Sequence, residues 1–348
     1  MPEPVPPSAP AGATPPPDPN RAEPVFDVVG IGNALVDVLS QEDEAFVERM
    51  ALTKGAMTLI ETERAEELYA ALSHRTEASG GSAANTLAGV ASFGGRAAFI
   101  GLVRDDLLGA VFAHDMASLG VHFGALRATE GAPTGRCIIV ITPDAERTLN
   151  TYLGASSELA PEHLDLDLIA SSAVTFLEGY LFDRPEAKEA YRVATEAAHA
   201  AGRKVALTLS DGFCVDRHRN DFQQLVKGGV DIVVGNADEI MRLYEVDTFD
   251  EALAAVRGSC EIACLTRGSE GSVVVTDDEV VEVKAHPVDR LVDTTGAGDL
   301  YAAGFLYGYT GGRNLEECGR LGSMAASAVL GHIGARPGLS LDQLLHGF

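Results

Sequence analysis

Cysteines are few in this chain of 348 residues, and none of them belongs to a Cys-x-x-Cys pair. The five are odd in number and widely spaced, which argues against a disulfide framework and against a structural zinc site. We interpret them as reduced core thiols of a cytoplasmic protein. Long apolar runs are also missing, and the amino terminus has no basic segment followed by an apolar one. The sequence therefore predicts neither a membrane protein nor a secreted one.

Positive charge is scarce as well. The chain has 26 Lys and Arg residues against 51 Asp and Glu residues, which gives a formal net charge of −25. A surface this acidic repels phosphate backbones and anionic lipids, so we expect no nucleic-acid or membrane partner. An anionic ligand would need a local site of backbone amides, arginine or metal that works against the overall field.

Several common ligand-binding motifs are absent. The dipeptide Gly-Lys never occurs, and neither the HExxH nor the GxSxG pattern is present, which disfavours P-loop NTPases, metalloproteases and α/β-hydrolases. Gly30-Ile31-Gly32 is followed by Leu35 where a dinucleotide-binding GxGxxG loop has its third glycine. Asn33 and Asp37 follow this first predicted strand, where open α/β sheets bind ligands, although both residue types are also common in turns.

From residue 25 onward, short β-branched runs alternate with longer Ala-rich helical patterns, which predicts parallel strands with crossover helices. The predicted strands are 25–29, 97–102, 137–142, 173–177, 205–209, 232–234, 262–265 and 272–276. The predicted helices are 83–93, 107–119, 186–201, 298–309 and 315–330. Segments 38–60 and 121–153 interrupt the alternation and are poorly helical. We expect parts of both to form a small β-rich lid over the ends of the main sheet.

The strongest motif is Asp293-Thr294-Thr295-Gly296-Ala297-Gly298-Asp299, directly before a predicted helix. Small residues at a helix start leave the first N–H groups exposed, and with the helix dipole these groups bind an anion such as phosphate. Asp299 lies in the first turn, where it can face a hydroxyl brought to that phosphate. We expect the dipole to keep Asp299 ionised, a weak base that suffices for phosphoryl transfer. A capping aspartate is the alternative role.

This motif resembles the second signature of the ribokinase-like (PfkB) carbohydrate and nucleoside kinases, and Gly80-Gly81-Ser82-Ala83-Ala84-Asn85 resembles their first. The similarity extends from Val25 to Pro337. It implies a three-layer α/β/α sandwich with a mostly parallel central sheet and a small β-lid, formed here by residues 25–348. It also implies an ATP- and Mg²⁺-dependent kinase that is a monomer or a homodimer.

The resemblance assigns the residues of phosphoryl transfer. Asp299 is the catalytic base, Arg147 lies near the γ-phosphate, and the anion hole consists of Gly296, Ala297 and Gly298. The residues implied to hold the acceptor hydroxyls are Asn33, Asp37, Gly80, Gly81 and Asn85.

The resemblance also implies how nucleotide and cations are bound. The nucleotide-binding positions are Asn236, Thr266, Gly268, Gly271, Ala325 and Ala328. Glu239 organises Mg²⁺ through water, and Asp293 and Thr295 match the start of a monovalent-cation site that would take K⁺. Read without the resemblance, Asn236 and Glu239 are typical of a helix cap, and Arg147 is an ordinary surface arginine.

The expected acceptor is the primary, 5′-type hydroxyl of a nucleoside, with adenosine first. Gly32-Asn33-Ala34-Leu35-Val36-Asp37 is similar to the GNxxxD opening of adenosine kinases. A base needs an apolar or aromatic slot beside the ribose, which we expect Leu35, Phe182 and Phe213 to form. Two alternatives stay open: a sugar kinase that acts on ribose, fructose or a related sugar, and a noncatalytic sugar- or nucleotide-binding regulator.

Residues 1–24 contain ten of the sixteen prolines and are predicted to form a disordered tail. A docking peptide for a proline-binding module is the alternative role. We expect deletion of these residues to leave the thermal midpoint and kcat unchanged, because such a tail buries little surface. Thermal unfolding and steady-state assays of both chain lengths measure the two quantities. A clear drop in either would show that the tail packs on the folded domain.

Overall fold

A computed structural model of the chain describes residues 23–124, 127–144 and 146–347. The predicted tail at 1–24 lies outside the described residues except for its last two positions. The strands are β1 (Phe26–Ile31), β2 (Leu35–Gln41), β3 (Met57–Leu59), β4 (Thr76–Gly80), β5 (Ala97–Ile100), β6 (Val103–Arg104), β7 (Val121–Phe123), β8 (Arg127–Ala128), β9 (Gly135–Ile141), β10 (Arg147–Tyr152), β11 (Ser172–Glu178), β12 (Lys204–Thr208), β13 (Ile232–Asn236), β14 (Ile262–Thr266), β15 (Ser272–Val275) and β16 (Val280–Val283). The helices are α1 (Glu44–Arg49), α2 (Thr62–Ala71), α3 (Ser82–Ser92), α4 (Leu107–Ser118), α5 (Leu166–Ala170), α6 (Pro185–Ala200), α7 (Gly212–Gly229), α8 (Ala237–Tyr244), α9 (Phe249–Val256), α10 (Ala297–Thr310) and α11 (Leu315–Leu330).

The central sheet has nine strands in the order β16-β15-β14-β13-β12-β11-β1-β5-β7. All neighbours pair in parallel from β14 to β7, whereas β15 and β16 add an antiparallel edge. Parallel strands need crossover helices, and these cover both faces of the sheet. The carboxyl ends of β1, β11, β12, β13 and β14 therefore meet at one edge, where the ligand site of such a fold is expected.

Side chains of the central strands alternate between two hydrophobic cores. In β1, Val28 packs with α3, α10 and α11 on one face, while Val29 packs with α6 and α7 on the other. The same alternation holds in β13, where Val234 and Val233 lie in different cores. Successive side chains of a strand point to opposite faces, so a strand that is apolar at every position packs against helices on both sides of the sheet. The sheet and the two sets of helices form three layers. The predicted α/β/α sandwich with a mostly parallel sheet is confirmed.

A second sheet of five strands has the order β3-β10-β9-β2-β4. It includes strands from both segments that interrupted the predicted alternation, together with β4, which was not predicted as a strand. Val36 and Val38 of β2 face α2 and α4, whereas Leu39 joins Cys137 and Ile139 of β9 on the opposite face. That opposite face covers the carboxyl edge of the central sheet. Its action as a lid stays a prediction.

The eight predicted strands and five predicted helices all occur, with ends that differ by one or two residues. The predictions missed α7, whose sequence is rich in polar residues and whose backbone leaves helical geometry at His218. They also missed α8 and α9, which begin with hydrogen-bonded capping boxes. Both α8 and α9 have only eight residues, little more than two turns, which is too short for a clear helical period.

All five cysteines lie within the described residues as free thiols, four of them buried and Cys260 half-buried. Across 23–124, 127–144 and 146–347, no helix combines the length and the apolar character needed to cross a bilayer.

Candidate active site

Two adjoining cavities open at the carboxyl edge of the central sheet. The first, of about 390 Å³, lies between that edge and the second sheet. The second, of about 750 Å³, lies between the loop after β14 and the carboxyl half of α11. Both are lined by Thr266 and Gly298, so they meet at the amino terminus of α10. A group bound at that terminus would be accessible from either cavity.

The amino terminus of α10 is shaped by glycine. Gly296 is the N-cap with φ +78°, and a Cβ there would lie 2.5 Å from the carbonyl oxygen of Ala335. No side chain caps this helix, and nothing lies within 4 Å of the Cβ position of Gly298. The Ala297 N–H donates to the carbonyl oxygen of Thr294 at 3.2 Å, but the space beside Gly298 leaves the start of this 14-residue helix accessible to a ligand, which is the arrangement that binds phosphate.

Asp299 lies in the first turn of α10 and lines the first cavity. Its Oδ1 accepts a hydrogen bond from the Ser82 hydroxyl at 2.6 Å, and its Oδ2 accepts one from Nδ2 of Asn85 at 3.0 Å. Burial raises the pKa of Asp299 above its usual value, although both hydrogen bonds oppose the shift. The direction of this shift is opposite to the one expected from the helix dipole, because desolvation outweighs the hydrogen bonds that stabilise the ionised form.

Asp37 also lines the first cavity, from the middle of β2. Burial raises its pKa to about 6, while the charges of Arg336 and Arg147 lower it and that of Asp299 raises it further. Gly80 of β4 pairs with Leu35, two residues before Asp37, and a Cβ at Gly80 would lie 2.5 Å from Cγ of Asp37. Asp37 can thus occupy the space that a side chain at position 80 would fill.

Gly80 and Asn33 do not line either cavity, unlike the other residues predicted to hold acceptor hydroxyls. Asn33 is buried, and its Nδ2 donates to Glu178 Oε1 at 2.8 Å while its Oδ1 accepts from the Ser156 hydroxyl at 3.0 Å. All of its polar atoms except one amide hydrogen are therefore engaged within the protein. These hydrogen bonds connect the segment after β1 to the end of β11, and the assignment of Asn33 to the acceptor stays a prediction.

Glu178, at the end of β11, was missed by the sequence analysis. Its Oε2 accepts from the backbone N–H of Ala83 at 2.9 Å, so it anchors the start of α3, which carries Ser82 and Asn85. Burial raises the pKa of Glu178 to about 7. The sequence signal that could have identified Glu178 is an acidic residue directly after a predicted apolar strand.

Gly81 connects β4 to α3 and lines the first cavity. Its φ of +98° is strained for any residue with a side chain, and a Cβ would lie 2.3 Å from the carbonyl oxygen of Asn33. The glycine is required here because two connections between the sheets, at Asn33 and at Gly81, pass each other closely.

Arg147 of β10 reaches the motif that precedes α10. Its Nη1 donates to Asp293 and, at 3.0 Å, to the Thr295 hydroxyl. Asp293 also accepts from Thr295 N at 3.0 Å and from Gly334 N at 2.9 Å. Although burial alone would raise the pKa of Asp293, the hydrogen bonds from Gly334 and Thr295 hold it below its usual value. The second sheet is thus tied to the anion-binding loop by an ion pair.

Asn236 and Glu239 both line the first cavity and form a capping box at the start of α8. Asn236 Oδ1 accepts from Glu239 N at 3.0 Å, and Glu239 Oε1 accepts from Asn236 Nδ2 at 2.6 Å. Burial raises the pKa of Glu239 to about 7. The helix-cap role is thus present, and the buried carboxylate faces the cavity at the same time.

The predicted nucleotide positions divide into two groups. Thr266, Gly268 and Gly271 line the second cavity. Ala325 is fully buried in the core between α10 and α11, and neither it nor Ala328 lines that cavity. The α11 residues that line it are Ser323, Ala326, Ser327 and Leu330. The nucleotide-binding roles of Ala325 and Ala328 stay predictions, because an Ala-rich helix has small residues on every face and its sequence does not indicate which face borders a cavity.

One wall of the first cavity is apolar, and it differs from the predicted slot. Leu35 lines the cavity as expected, but Phe182 is stacked on Phe222 in the core below α6, and Phe213 is 78% exposed. Neither phenylalanine borders the cavity. The apolar wall consists of Leu35, Cys137, Ile139 and Leu149, all on strands of the second sheet.

A half-buried carboxylate beside an anion-binding helix terminus, between two cavities, is the arrangement of a phosphoryl-transfer enzyme. The chain is a kinase whose acceptor is an alcohol group, as its relatives show. A profile of the pfkB family carbohydrate kinases matches residues 51–342, and the protein belongs to this family.

Three relatives illustrate the range of the family. The crystal structure of adenosine kinase from Sinorhizobium meliloti is 52% identical, with a TM-score of 0.84 over 92% of this chain and 99% of that one. The structure of a probable sugar kinase from Rhizobium etli CFN 42 is 48% identical, with a TM-score of 0.85 over 93% and 98% of the two chains. A 5-dehydro-2-deoxygluconokinase of Listeria monocytogenes is 28% identical over 321 residues, 89% of this chain and 91% of its own.

Proposed function

We propose that this kinase transfers the γ-phosphoryl group of ATP to the 5′-hydroxyl of a nucleoside, with adenosine as the preferred acceptor. The observation that carries the proposal is the first cavity, which combines the carboxylates of Asp37 and Asp299 with an apolar wall. Ribose hydroxyls need polar partners, and a nucleobase needs apolar surface beside them. The identity of 52% to an adenosine kinase supports the same acceptor.

The chemical step follows from the position of Asp299. Its carboxylate takes the proton of the acceptor hydroxyl while the hydroxyl oxygen forms a bond to the γ-phosphorus. The bond between that phosphorus and the β–γ bridging oxygen breaks, and ADP leaves. The N–H groups at the start of α10, at Gly296, Ala297 and Gly298, stabilise the negative charge of the transferring phosphoryl group. The raised pKa of Asp299 makes it a stronger base for this proton transfer.

The remaining assigned residues hold the two substrates. Asp37, Gly81 and Asn85 line the first cavity and bind the acceptor hydroxyls. The second cavity, with Thr266, Gly268 and Gly271, takes the nucleotide. ATP in that cavity and the acceptor in the first would meet at Gly298, which lines both.

Glu239 and Asn236 fit the binding of Mg²⁺ through water. The described residues contain no group of three or more acidic, histidine or cysteine side chains that could enclose a metal. Mg²⁺ commonly keeps several waters and uses one or two carboxylates together with substrate phosphates, so a single buried glutamate suits it. The ion would neutralise phosphate charge and favour the ionised form of Glu239.

Asp293 and Thr295 do not fit a K⁺ site through their side chains as they are arranged here. Both oxygens of Asp293 already accept hydrogen bonds, from Thr295 and from Gly334, and Arg147 pairs with the same carboxylate. A guanidinium at this position supplies the charge that a cation would bring. We derive no step from K⁺.

A sugar acceptor is the second candidate, because the probable sugar kinase of Rhizobium etli shares 48% identity and nearly the full length. The two candidates differ in what the apolar wall contributes. A free pentose or hexose would use the polar end of the first cavity and leave Leu35, Ile139 and Leu149 without a partner.

Competition between acceptors tests the proposal. We expect kcat/KM for adenosine to exceed that for ribose and for fructose by at least ~10²-fold, in line with the area that a buried base adds. ADP release in the presence of ATP and Mg²⁺ measures each value. Faster turnover of a sugar would replace the nucleoside assignment, and tight acceptor binding without any turnover would favour a noncatalytic regulator.

A variant of the apolar wall separates base recognition from catalysis. Leu149→Ala should lower kcat/KM for adenosine by roughly 15- to 60-fold, because two to three buried methylene groups at ~0.8 kcal/mol each are lost, and leave that for ribose unchanged. Val280→Ala on β16, an exposed position outside both cavities, is the matched control and should change neither. An equal loss for both acceptors would contradict a base-binding role of this wall.

A further inference from the structure

Arg336 follows α11 and reaches three other elements without lining either cavity. Its Nη2 donates to the carbonyl oxygen of Ser79 at 2.8 Å and to the Ser79 hydroxyl at 2.9 Å. Its Nε donates to Oδ1 of Asn85 at 3.3 Å, and its Nη1 lies 3.7 Å from Asp115 of α4. The Arg336 side chain is only 19% exposed. A single side chain therefore joins the carboxyl-terminal segment to β4, α3 and α4.

The contact with Asn85 determines which end of its amide faces the catalytic carboxylate. Arginine has donors and no acceptor, so the atom of Asn85 next to Nε must be the carbonyl oxygen. The amide nitrogen then points to Asp299 and donates to it at 3.0 Å. With the amide reversed, its oxygen would face the carboxylate of Asp299, which repels it. Arg336 is thus the partner that makes Asn85 a donor to Asp299.

Arg336 is also a positive charge beside two carboxylates of the same cavity. It opposes the rise in the pKa of Asp37 and of Asp299 that burial causes. The other charges acting on Asp37 are Arg147, which lowers its pKa, and Asp299, which raises it. Asp115 pairs with Arg336 and accepts from Ser79 N at 2.7 Å, so it holds the guanidinium in place.

We propose that Arg336 is a positioning residue of the acceptor site, which orients the Asn85 amide toward Asp299 and holds β4 against the strand that carries Asp37. The proposal rests on the proposed function, since it assigns Asn85 and Asp37 to the acceptor and Asp299 to proton transfer. Arg336 then acts on the site in two ways. It fixes the orientation of the Asn85 amide, and its positive charge stabilises the ionised forms of Asp37 and Asp299. Substitutions that separate shape from charge can test the two effects independently.

Arg336→Gln removes the charge, and Arg336→Lys keeps the charge but loses the planar fork of donors. For Arg336→Gln we expect kcat to fall about tenfold and the acid limb of kcat/KM to move up by ~0.5–1 pH unit, since the carboxylates lose a cation. For Arg336→Lys we expect a similar loss of kcat with the acid limb near its wild-type position. Arg96→Gln is the control, because Arg96 pairs with Asp27 at the amino end of β1, and it should change neither quantity.

A titration that needs no turnover complements the kinetics. In protein labelled with [¹³C]aspartate, the carboxyl resonance that disappears in Asp37→Asn reports Asp37. Its midpoint, near pH 6 in the wild type, should rise in Arg336→Gln and stay in Arg336→Lys. If no acceptor is phosphorylated, the proposed function fails while this titration still tests Arg336.

The proposal would be overturned if both variants kept the wild-type kcat, the wild-type acid limb of kcat/KM and the wild-type titration midpoint of Asp37. A lower thermal midpoint with those three quantities unchanged would overturn it as well, since Arg336 would then be purely structural. If Arg336→Gln does not fold, the proposal depends on Arg336→Lys, whose wild-type kcat would overturn the orienting role.

Discussion

Replacement of Asp299 by asparagine is expected to lower kcat by ~10²- to 10⁴-fold, because the acceptor hydroxyl loses its proton acceptor. The neutral amide still fits the site: its carbonyl can accept from Asn85, and the Ser82 hydroxyl can turn to accept from the new NH₂ group. Acceptor affinity and thermal midpoint should therefore stay close to wild type. Steady-state kinetics, calorimetry of acceptor binding and thermal unfolding measure the three quantities.

The matched control is Asp250→Asn, an exposed aspartate in the first turn of α9. It makes the same chemical change at a helix start outside both cavities and should leave kcat unchanged. Near-normal turnover in Asp299→Asn would refute the role of Asp299 as the base. A further consequence is testable by titration: the pKa of Asp37 should fall from about 6, because the charge of Asp299 contributes to raising it.

Replacement of Asp37 by alanine is expected to lower kcat/KM by roughly 10²- to 10³-fold. The lost charged hydrogen bond accounts for ~1–3 kcal/mol of acceptor binding, and looser positioning of the reacting hydroxyl accounts for the rest. Calorimetry should show the lost binding free energy as a higher Kd for the acceptor. Single-turnover kinetics should show the looser positioning as a slower phosphoryl transfer.

The pH dependence of kcat/KM is an independent test of the role of Asp37. Burial raises its pKa to about 6, so wild-type kcat/KM should increase as the pH rises through 6 and Asp37 becomes ionised. In Asp37→Ala this component of the acid limb should be absent. Asp144→Asn, an exposed carboxylate paired with Lys54 at the end of β9, is the control and should keep the wild-type profile. An unchanged acceptor Kd and an unchanged profile in Asp37→Ala would return Asp37 to a structural role in β2.

The sequence predicted the central sandwich well because its signals are local. Fully apolar runs such as 232–234 and Ala-rich periodic segments such as 315–330 are recognisable without knowledge of their neighbours. The strands of the second sheet were harder to recognise, because Thr76–Gly80 contains three polar or charged residues and pairs with β2 only after the chain has passed through α1, β3 and α2. Pairing between distant segments leaves no periodic trace in either segment alone.

Five of the predicted site residues, all from the two signature motifs, line one cavity. Gly81, Asn85, Gly296, Gly298 and Asp299 all line the first cavity. Asn33, Gly80 and Ala325 do not line either cavity, although each lies within four residues of one that does. A one-residue step reverses the side-chain direction along a strand and rotates it by about 100° around a helix, and the motifs do not resolve that step at the end of β4 or at Ala325.

The sequence alone determined the family, the layered architecture and the glycine-rich start of α10. These depend on short contiguous stretches whose backbone needs are set by their own residues, as with the glycines before α10. The tertiary structure determined the directions of the pKa shifts at the site and the hydrogen bonds that join its residues. Burial raises the pKa of Asp37 to about 6, and Glu178 and Arg336 meet α3 from positions more than ninety residues away. Desolvation and hydrogen bonding depend on which groups surround an atom in space, and only the packed fold brings those groups together.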